Sequence, residues 1–535
     1  MNYNVLTEKW IPIIRRDGSA ELVGIMDALM HATDIKSIVD DEPLQKMAIL
    51  RLLTAFVSDA YGDQIKTRRD RRKLLAHGSF DAGTLRSYVE KCTAECGASF
   101  DLFDKARPFI VQAFDKSLDE KPSAQGIGKC NTFPNAKTVE SVCIPLSSAN
   151  APAHYHHKTY GTSGLALAPA EALRNVLALN LFAVAMSGGY PSSVNNAPPI
   201  YYAPVCDTLF EQLVMCMRGT HERGSANADD RCAWNSSEIV SSAITRPSMT
   251  FLDAMTFRPR RIVLILDDDG LIRRCYVSPG IQYKASDGWR DPFVSYIPCK
   301  ESMIPLRPKI NREFWRDIGN ITAADADAQG TVLPPAVLVP LADRELEQVW
   351  SVGVVTEQAA YRHVMFDPGI TIPQRLLRRS DDDEQLSAHE LVDQVYEDLA
   401  LVDSVLGQLR AHNSNPDSTS IPPLEPIPEF ASAITETVLF QMHHYIISEY
   451  FPAVQNADTN SAGWALILHN GMAAALWDAV CAAFQSVEHN STGWEQIMAY
   501  NAARRNAMSR IHSILYPHPN EKETINEQTS NENQH

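Results

Sequence analysis

The sequence predicts an α+β fold, with a large mixed α/β N-terminal domain over residues 1–366, a four-helix bundle over 380–515 and a disordered tail at 516–535. Three observations carry this reading. Short β-prone runs joined by acidic glycine turns occur in the first part of the chain, at residues 11–25 and 260–277. The part beyond residue 380 shows long stretches with apolar residues at three-and-four spacing. The length of 535 residues also exceeds the roughly 250–300 at which one core stops growing, so at least two domains are expected.

The elements follow in order. Val5, Leu6, Trp10, Ile11, Ile13 and Ile14 form an apolar run, Asp17-Gly18 is a favoured hairpin turn, and Glu21–Ile25 can return as the partner strand. Leu44, Met47, Ala48, Leu50, Leu52, Leu53, Phe56 and Val57 give Pro43–Ala60 a helical period. A second helix is expected from Thr84, as N-cap, to Cys96. Pro169-Ala170-Glu171 opens a strongly apolar helix through Leu173, Val176, Leu177, Leu179, Leu181 and Val184, with Gly188-Gly189 just past its end. Arg260–Ile265, the acidic turn Asp267–Gly270 and Leu271–Val277 read as a second hairpin. Phe366-Asp367-Pro368-Gly369 and the acidic run Ser380–Glu384 mark the domain junction. Leu386–His412, Ile434–Phe451, Gly463–Val487 and Trp494–Leu515 then supply four amphipathic helices. The last twenty residues are too polar to pack.

Composition narrows the function. A net charge of -17 argues against a free-standing nucleic-acid binder, whose affinity for phosphates comes mainly from Lys and Arg. Basic residues are nevertheless clustered, at Lys66, Arg68, Arg69, Arg71, Arg72 and Lys73 and again at Arg258, Arg260 and Arg261. An acidic body with local basic patches suits a protein that touches nucleic acid within a larger assembly; for the first cluster the alternative is a solvated helix face. No stretch approaches the roughly 20 uninterrupted apolar residues of a membrane span, since Val176–Met186 is short and holds Asn180. The charged N-terminus lacks the apolar stretch of a signal peptide, so a cytoplasmic location and no membrane partner are expected. The ten cysteines show no zinc spacing and read as reduced thiols, with Cys92 and Cys96, one turn apart, the nearest pair.

Enzyme signatures are absent: there is no phosphate loop, nucleophile elbow or dinucleotide fingerprint. The densest titratable group is His154-Tyr155-His156-His157-Lys158. Three imidazoles invite a metalloenzyme reading, but no Cys or carboxylate completes a ligand set before Glu171, and a contact loop built on Tyr155 is the stronger alternative. Asp267–Asp269 reads as solvated turn chemistry, and His443-His444 as a packed or half-exposed pair.

Several segments carry a family resemblance. Leu6-Thr7-Glu8-Lys9-Trp10-Ile11-Pro12 with its basic Asp-Gly turn, Arg107-Pro108-Phe109, Ser147–Asn150 leading to Tyr155, and the helix from Pro169 to the turn at Gly189 occur in order. They are followed by Trp234, Thr256–Ile262 (with Phe257 where Trp is usual), Asp291-Pro292-Phe293, Phe314–Asp317 and Glu357-Gln358-Ala359. This series resembles CasA, the large-subunit family of the type I-E CRISPR surveillance complex Cascade, and the helical tail is similar to that family's C-terminal bundle.

The alternatives are the His-centred metalloenzyme and a purely structural adaptor subunit; the resemblance implies a noncatalytic subunit of a crRNA-guided antiviral defence complex. Such a subunit checks duplex DNA for a protospacer-adjacent motif, starts strand separation and helps recruit a helicase-nuclease, while guide pairing reads the rest of the sequence. Implied partners are crRNA, double-stranded target DNA and the backbone, crRNA-end-binding and small subunits; no cofactor or metal is implied. Three implied elements read the motif. Gly188-Gly189 fits the glycine loop, since backbone without Cβ approaches bases closely. Gln358-Ala359 fits the wedge beneath the motif. Lys300 fits the lysine finger, with Lys284 as its rival. The loop with Tyr155, His156 and Lys158 corresponds to one that contacts crRNA and a neighbouring subunit, although its histidines and the Tyr190-Pro191 after the glycines depart from the family pattern.

Overall fold

The computed structural model describes residues 2–39, 41–113, 136–144, 164–187, 189–223, 230–236, 244–246, 249–283, 289–299, 302–309, 314–322, 332–338, 348–357, 360–373, 376, 385–410, 428–488 and 494–517. The chain divides into two compact units, Met1–Arg312 with Asp325–Ile370, and Glu313–Ala324 with Thr371–His535. The architecture is α+β, with strands in the first unit and helices dominating the second.

The opening hairpin forms as its pattern requires. Strands β1 (Ile11–Arg15) and β2 (Ala20–Val23) pair antiparallel, with Ile11 opposite Val23, and β3 (Ile35–Ile38) adds to the other edge of β1. Gly18 adopts φ +87°, the left-handed conformation that the Asp-Gly turn supplies without steric cost. Trp10 is fully buried and its indole donates to the Val5 carbonyl at 2.9 Å, so the ring's one polar atom is satisfied inside the core.

Four helices follow in the first part of this unit: α1 (Ile25–Met30), α2 (Pro43–Ala60), α3 (Arg68–His77) and α4 (Ala82–Cys96). α2 is buried nearly all round and packs against α5 (Pro169–Phe182), α6 (Leu209–Cys216) and α7 (Phe251–Met255). The sequence placed the N-cap of α4 at Thr84; it is Asp81, whose carboxylate accepts from the Thr84 amide at 2.6 Å, so Thr84 sits inside the first turn. α5 ends at Phe182, and the glycines stand six residues farther on rather than immediately past the helix.

The remaining strands in chain order are β4 (Lys137–Thr138), β5 (Tyr201–Pro204), β6 (Ile244–Arg246), β7 (Arg260–Leu266), β8 (Ile272–Pro279), β9 (Ile281–Tyr283), β10 (Tyr296–Cys299), β11 (Ser302–Pro305), β12 (Gln348–Glu357) and β13 (Ala360–Thr371). β7 and β8 form the second hairpin, with Val263 opposite Tyr276. Its acidic turn is an ion-pair cluster: Arg273 holds Asp267 and Asp269, and Arg274 holds Asp267 at 3.0 Å. β13, β12 and β5 make one sheet, and β10 pairs with β11.

In the core of this unit, Arg51 on α2 meets Asp291 at 2.7 Å with both side chains essentially inaccessible to water. Asn195 donates to the other carboxylate oxygen at 2.8 Å, and the guanidinium lies over the rings of Tyr201 and Phe293. Burial alone would weaken the hold of Arg51 on its proton; Asp291 more than reverses this and raises the pKa above its ordinary value.

The second unit contains α8 (Ile318–Thr322) and four helical stretches: α9 (Gln385–Arg410), α10 (Pro428–Tyr445) continuing to Asn456, α12 (Trp464–Glu488) and α13 (Trp494–Leu515). The segment Phe314–Thr322 belongs with these helices although the sequence reading placed it in the mixed domain; Arg316 forms an ion pair with Asp403 on α9. Between α10 and α11 (Phe451–Asn456) lies a π-helical turn, Ile446–Tyr450. Pro452 cannot donate to the Ser448 carbonyl, which loosens the helix here without ending it. Trp464–Val487 is long and apolar enough to cross a membrane, which the sequence reading did not anticipate. Here it packs against α9, α10 and α13, and His469 on it bonds Asp398 on α9 at 2.8 Å. Of the tail, residues 518–535 lie outside the described residues.

Candidate nucleic-acid interface

Of the motif-reading candidates, Gly189 lies within the described residues, whereas Gly188, Lys300, Gln358, Ala359 and the rival Lys284 lie outside them. So do Tyr155, His156 and Lys158, with the rest of the histidine-rich loop. The flanking backbone gives the setting. Gly189 has φ +78°, and a Cβ built there meets no atom within 4 Å, so glycine answers a backbone requirement and the position faces open space. The Met186 amide donates to the Tyr190 carbonyl at 3.1 Å, closing the turn.

An arginine from another part of the chain anchors that turn. Arg260, only 4% exposed, donates to the Val184 carbonyl at 2.6 Å and to the Pro191 carbonyl, bracketing residues 185–190. Its guanidinium also lies 5.2 Å from the centre of the Tyr190 ring, whose hydroxyl donates to the Val277 carbonyl at 2.9 Å. Tyr361 completes the anchor by donating to the Phe182 carbonyl at 3.1 Å. Burial pushes the Tyr361 phenol up to about 12 against the opposing charge of Arg260, so this hydroxyl stays protonated as a donor at neutral pH.

Tyr361 is the second residue of β13. β12 ends at Glu357 and β13, its neighbour in the sheet, begins at Ala360, so Gln358 and Ala359 fall between these strands in sequence. The same anchor thus joins the glycine turn to the strand that follows Gln358-Ala359. Lys300 falls between β10 and β11, an antiparallel pair whose last register places Cys299 opposite Ser302. This pair is tied to β5 near its base, where the Tyr202 amide donates to the Phe293 carbonyl at 2.8 Å and the Ile200 amide to the Leu306 carbonyl at 2.9 Å. β5 pairs in turn with β12, Val349 opposite Pro204. Lys284 instead follows β9, which pairs in parallel with β6.

The two basic clusters differ. Arg258, Arg260 and Arg261 do not form an exposed patch: Arg260 is buried, Arg261 donates through Nε to the Pro279 carbonyl at 3.0 Å, and all three line a cleft with Arg107, Phe109 and Trp234. The Lys66–Lys73 cluster lies at the entrance and on the first turns of α3 and divides by face, with Arg71 buried and Lys66, Arg69, Arg72 and Lys73 exposed.

Among the described residues no group of three or more His, Cys, Asp and Glu is arranged to hold a metal ion. Cys92 is a buried thiol pushed up to about 11 chiefly by desolvation, an environment that disfavours a metal-binding thiolate. Sequence reasoning placed Arg260 in a surface basic cluster rather than in this anchor, noted Tyr190 only as a departure from the family pattern, and did not single out Tyr361. A buried arginine whose partners are distant carbonyls has the same local signature as a surface cation, and no periodic pattern marks it.

A profile of the family described as CRISPR-associated protein Cse1 matches residues 4–445. A Thermus thermophilus protein named CRISPR-associated protein CasA/Cse1 is 26% identical over 329 residues, which is 59% of this chain and 59% of that relative's length. The crystal structure of Thermobifida fusca Cse1 superposes with a TM-score of 0.71 at 18% identity, covering 96% of this chain and 98% of the other. A chain of a structure described as a CRISPR RNA-guided surveillance complex superposes with a TM-score of 0.69 at 16% identity, covering 96% and 99%. At these identities the two superpositions establish a shared fold.

Proposed function

The chain belongs to the CRISPR-associated Cse1 family, and from that premise we propose that it is a noncatalytic subunit of a crRNA-guided surveillance complex in the cytoplasm, reading a short motif in duplex DNA. Its partners are crRNA, the target duplex and the other subunits of the complex. It starts strand separation beside the motif and helps recruit a helicase-nuclease.

The single observation that carries this reading is the Arg260–Tyr361 anchor. Motif readout needs a close-approaching backbone and an inserting side chain held at fixed separation, because misplacement of either by an ångström loses the contact. Arg260 and Tyr361 tie the open glycine turn to the strand that follows Gln358-Ala359. In this reading Gly188-Gly189 approaches the minor groove, Gln358 enters beneath the motif beside the small Ala359, and Lys300 reaches a groove edge or phosphate. The Tyr155, His156 and Lys158 loop contacts crRNA and a neighbouring subunit. Minor-groove readout separates A·T from G·C more than it separates individual bases, so a relaxed motif preference follows.

The test is substitution in the assembled complex. Gln358→Ala and Gly188→Asp are expected to weaken binding of motif-bearing duplex about tenfold or more while assembly with crRNA and the other subunits persists. Unchanged affinity in both variants, measured by titration of labelled duplex, would remove the wedge and glycine-loop assignments.

A further inference from the structure

We propose that the exposed face of α3, formed by Arg69, Arg72 and Lys73 with Lys66 at its entrance, is a docking surface for the phosphodiester backbone of the target DNA duplex. The inference names a contact surface for the complex proposed above and rests on that reading for the identity of the complex. Three features of the structure support it.

The first is the division of the helix into two faces. Arg71 and Leu74 are buried: Arg71 Nε donates to Glu222 at 2.8 Å, and its Nη1 donates to the Met215 carbonyl. Arg69, Arg72 and Lys73 lie on the exposed side, and Lys73 is 67% exposed. Lys73 shares Asp70 at 3.1 Å, while Arg69 and Arg72 have no carboxylate partner among the described residues. In a chain of net charge -17, an exposed stripe of four cations with one acidic neighbour on the helix is a marked local reversal of sign.

Rigidity is the second feature. The Asp70 carboxylate accepts from the Thr67 amide at 3.1 Å and from its hydroxyl at 2.9 Å, capping the helix, and Gly78 ends it in the left-handed conformation. The chain at 219–221 is seated against the helix entrance: the His221 amide donates to the Lys66 carbonyl at 3.0 Å, and a Cβ at Gly219 would lie 2.5 Å from that peptide. The cations are therefore presented on a fixed support.

The third is the field beneath the helix. Arg218 is buried under it, and its pKa is pushed down to about 9, first by desolvation and then by the positive charge of Arg71, with Glu222 acting in the opposite sense. Beneath the helix Arg71 and Arg218 face the single carboxylate of Glu222, so the buried side does not cancel the charge of the exposed cations. Arg69 to Lys73 span about 6 Å of helix axis, and one duplex strand presents a phosphate about every 3.4 Å along its axis. The stripe matches two or three successive phosphates, a contact that carries affinity and orientation but no sequence information.

The experiment uses the assembled complex and compares Arg69→Gln/Arg72→Gln with a charge-matched control, Arg505→Gln/Arg510→Gln, on exposed positions of α13. Affinity for labelled motif-bearing and motif-free duplex is measured across a salt series, alongside the salt dependence of the chain's joining the crRNA-containing remainder of the complex. The α3 variant is expected to lower the slope of log affinity against log salt by about 0.9 per lost phosphate contact. At about 0.1 M salt the corresponding loss is tenfold or more for both duplexes, with the control unchanged. A slope that falls only in the joining reaction would place the contact on crRNA and overturn the assignment to the target duplex. Slopes equal to the control in both arms would overturn the proposal. A wild-type complex that binds both duplexes equally would defeat the motif-reading function, yet leave the slope comparison readable.

Discussion

Asp291→Ala is expected to destabilise the mixed unit by about 3–5 kcal/mol, the range for breaking a buried ion pair from one side. The carboxylate accepts from Arg51 at 2.7 Å, from Asn195 at 2.8 Å and from the Phe293 amide at 3.1 Å. Two further nitrogens of Arg51, Nε and Nη2, are buried without a partner, so the rings of Tyr201 and Phe293 and this single carboxylate compensate the cation. Removing Asp291 leaves a charge in a place that water does not reach. Hydrogen exchange along α2 and β10 reads the effect locally: protection should fall steeply in Asp291→Ala. It should be largely restored when Arg51→Met and Asp291→Leu are combined, because two apolar residues of similar volume leave nothing charged behind. Native-like protection in Asp291→Ala would show that the pair does not hold this core.

In the helical unit the largest effect is expected from Asp398→Ala. Asp398 is fully buried; it accepts from the Tyr450 hydroxyl at 2.7 Å and from Gln394 at 2.9 Å, and it bonds Nδ1 of His469 at 2.8 Å. Burial first, and then the neighbouring Asp398 charge, raise the Tyr450 pKa far above its ordinary value, so Tyr450 remains a donor throughout the accessible pH range. Truncation strands the buried Tyr450 hydroxyl and releases the half-buried Gln394 amide; a cost of about 1–3 kcal/mol follows from the usual penalty for an unsatisfied buried donor. Asp398→Asn keeps an acceptor for Tyr450 and should cost less. Thermal unfolding of the three proteins, followed by exchange in Tyr445–Asn456, tests this order, and equal stability of the Ala and Asn variants would contradict it.

Much of the fold was legible because it rests on local patterns. The Asp17-Gly18 turn, the β7–β8 hairpin and the four C-terminal helical stretches each follow from periodicity and turn chemistry written in adjacent residues. Misplaced features depended on side chains or partners that periodicity does not weigh. The Asp81 carboxylate outcompeted Thr84 for the cap of α4, and Phe314–Thr322 joined the helices through contacts such as Arg316–Asp403 across a long sequence separation. The helix expected to end at Phe451 runs on through Pro452 to Asn456, with a π turn at Ile446–Tyr450 just before the proline.

The candidate interface was legible in a different way. Gly188, Lys300 and Gln358 were identified by resemblance, since a glycine pair, a lone lysine and a Gln-Ala dipeptide carry little signal alone. The structure adds the support that sequence could not supply. It places Arg260 inside rather than on the surface, because the Val184 and Pro191 carbonyls that it binds are more than sixty positions away in the chain. It also separates the two basic clusters, turning one inward to brace a turn and leaving the other on an exposed helix face.

The most direct test of the central claim compares the crRNA-containing complex with and without this chain, titrated with target duplexes that differ only in the short motif beside the guide-matched sequence. With the chain present, duplexes bearing a favoured motif should bind at least tenfold more tightly than motif-free duplexes, and without it the difference should vanish. Equal discrimination in the two preparations would contradict the assignment of motif reading to this protein.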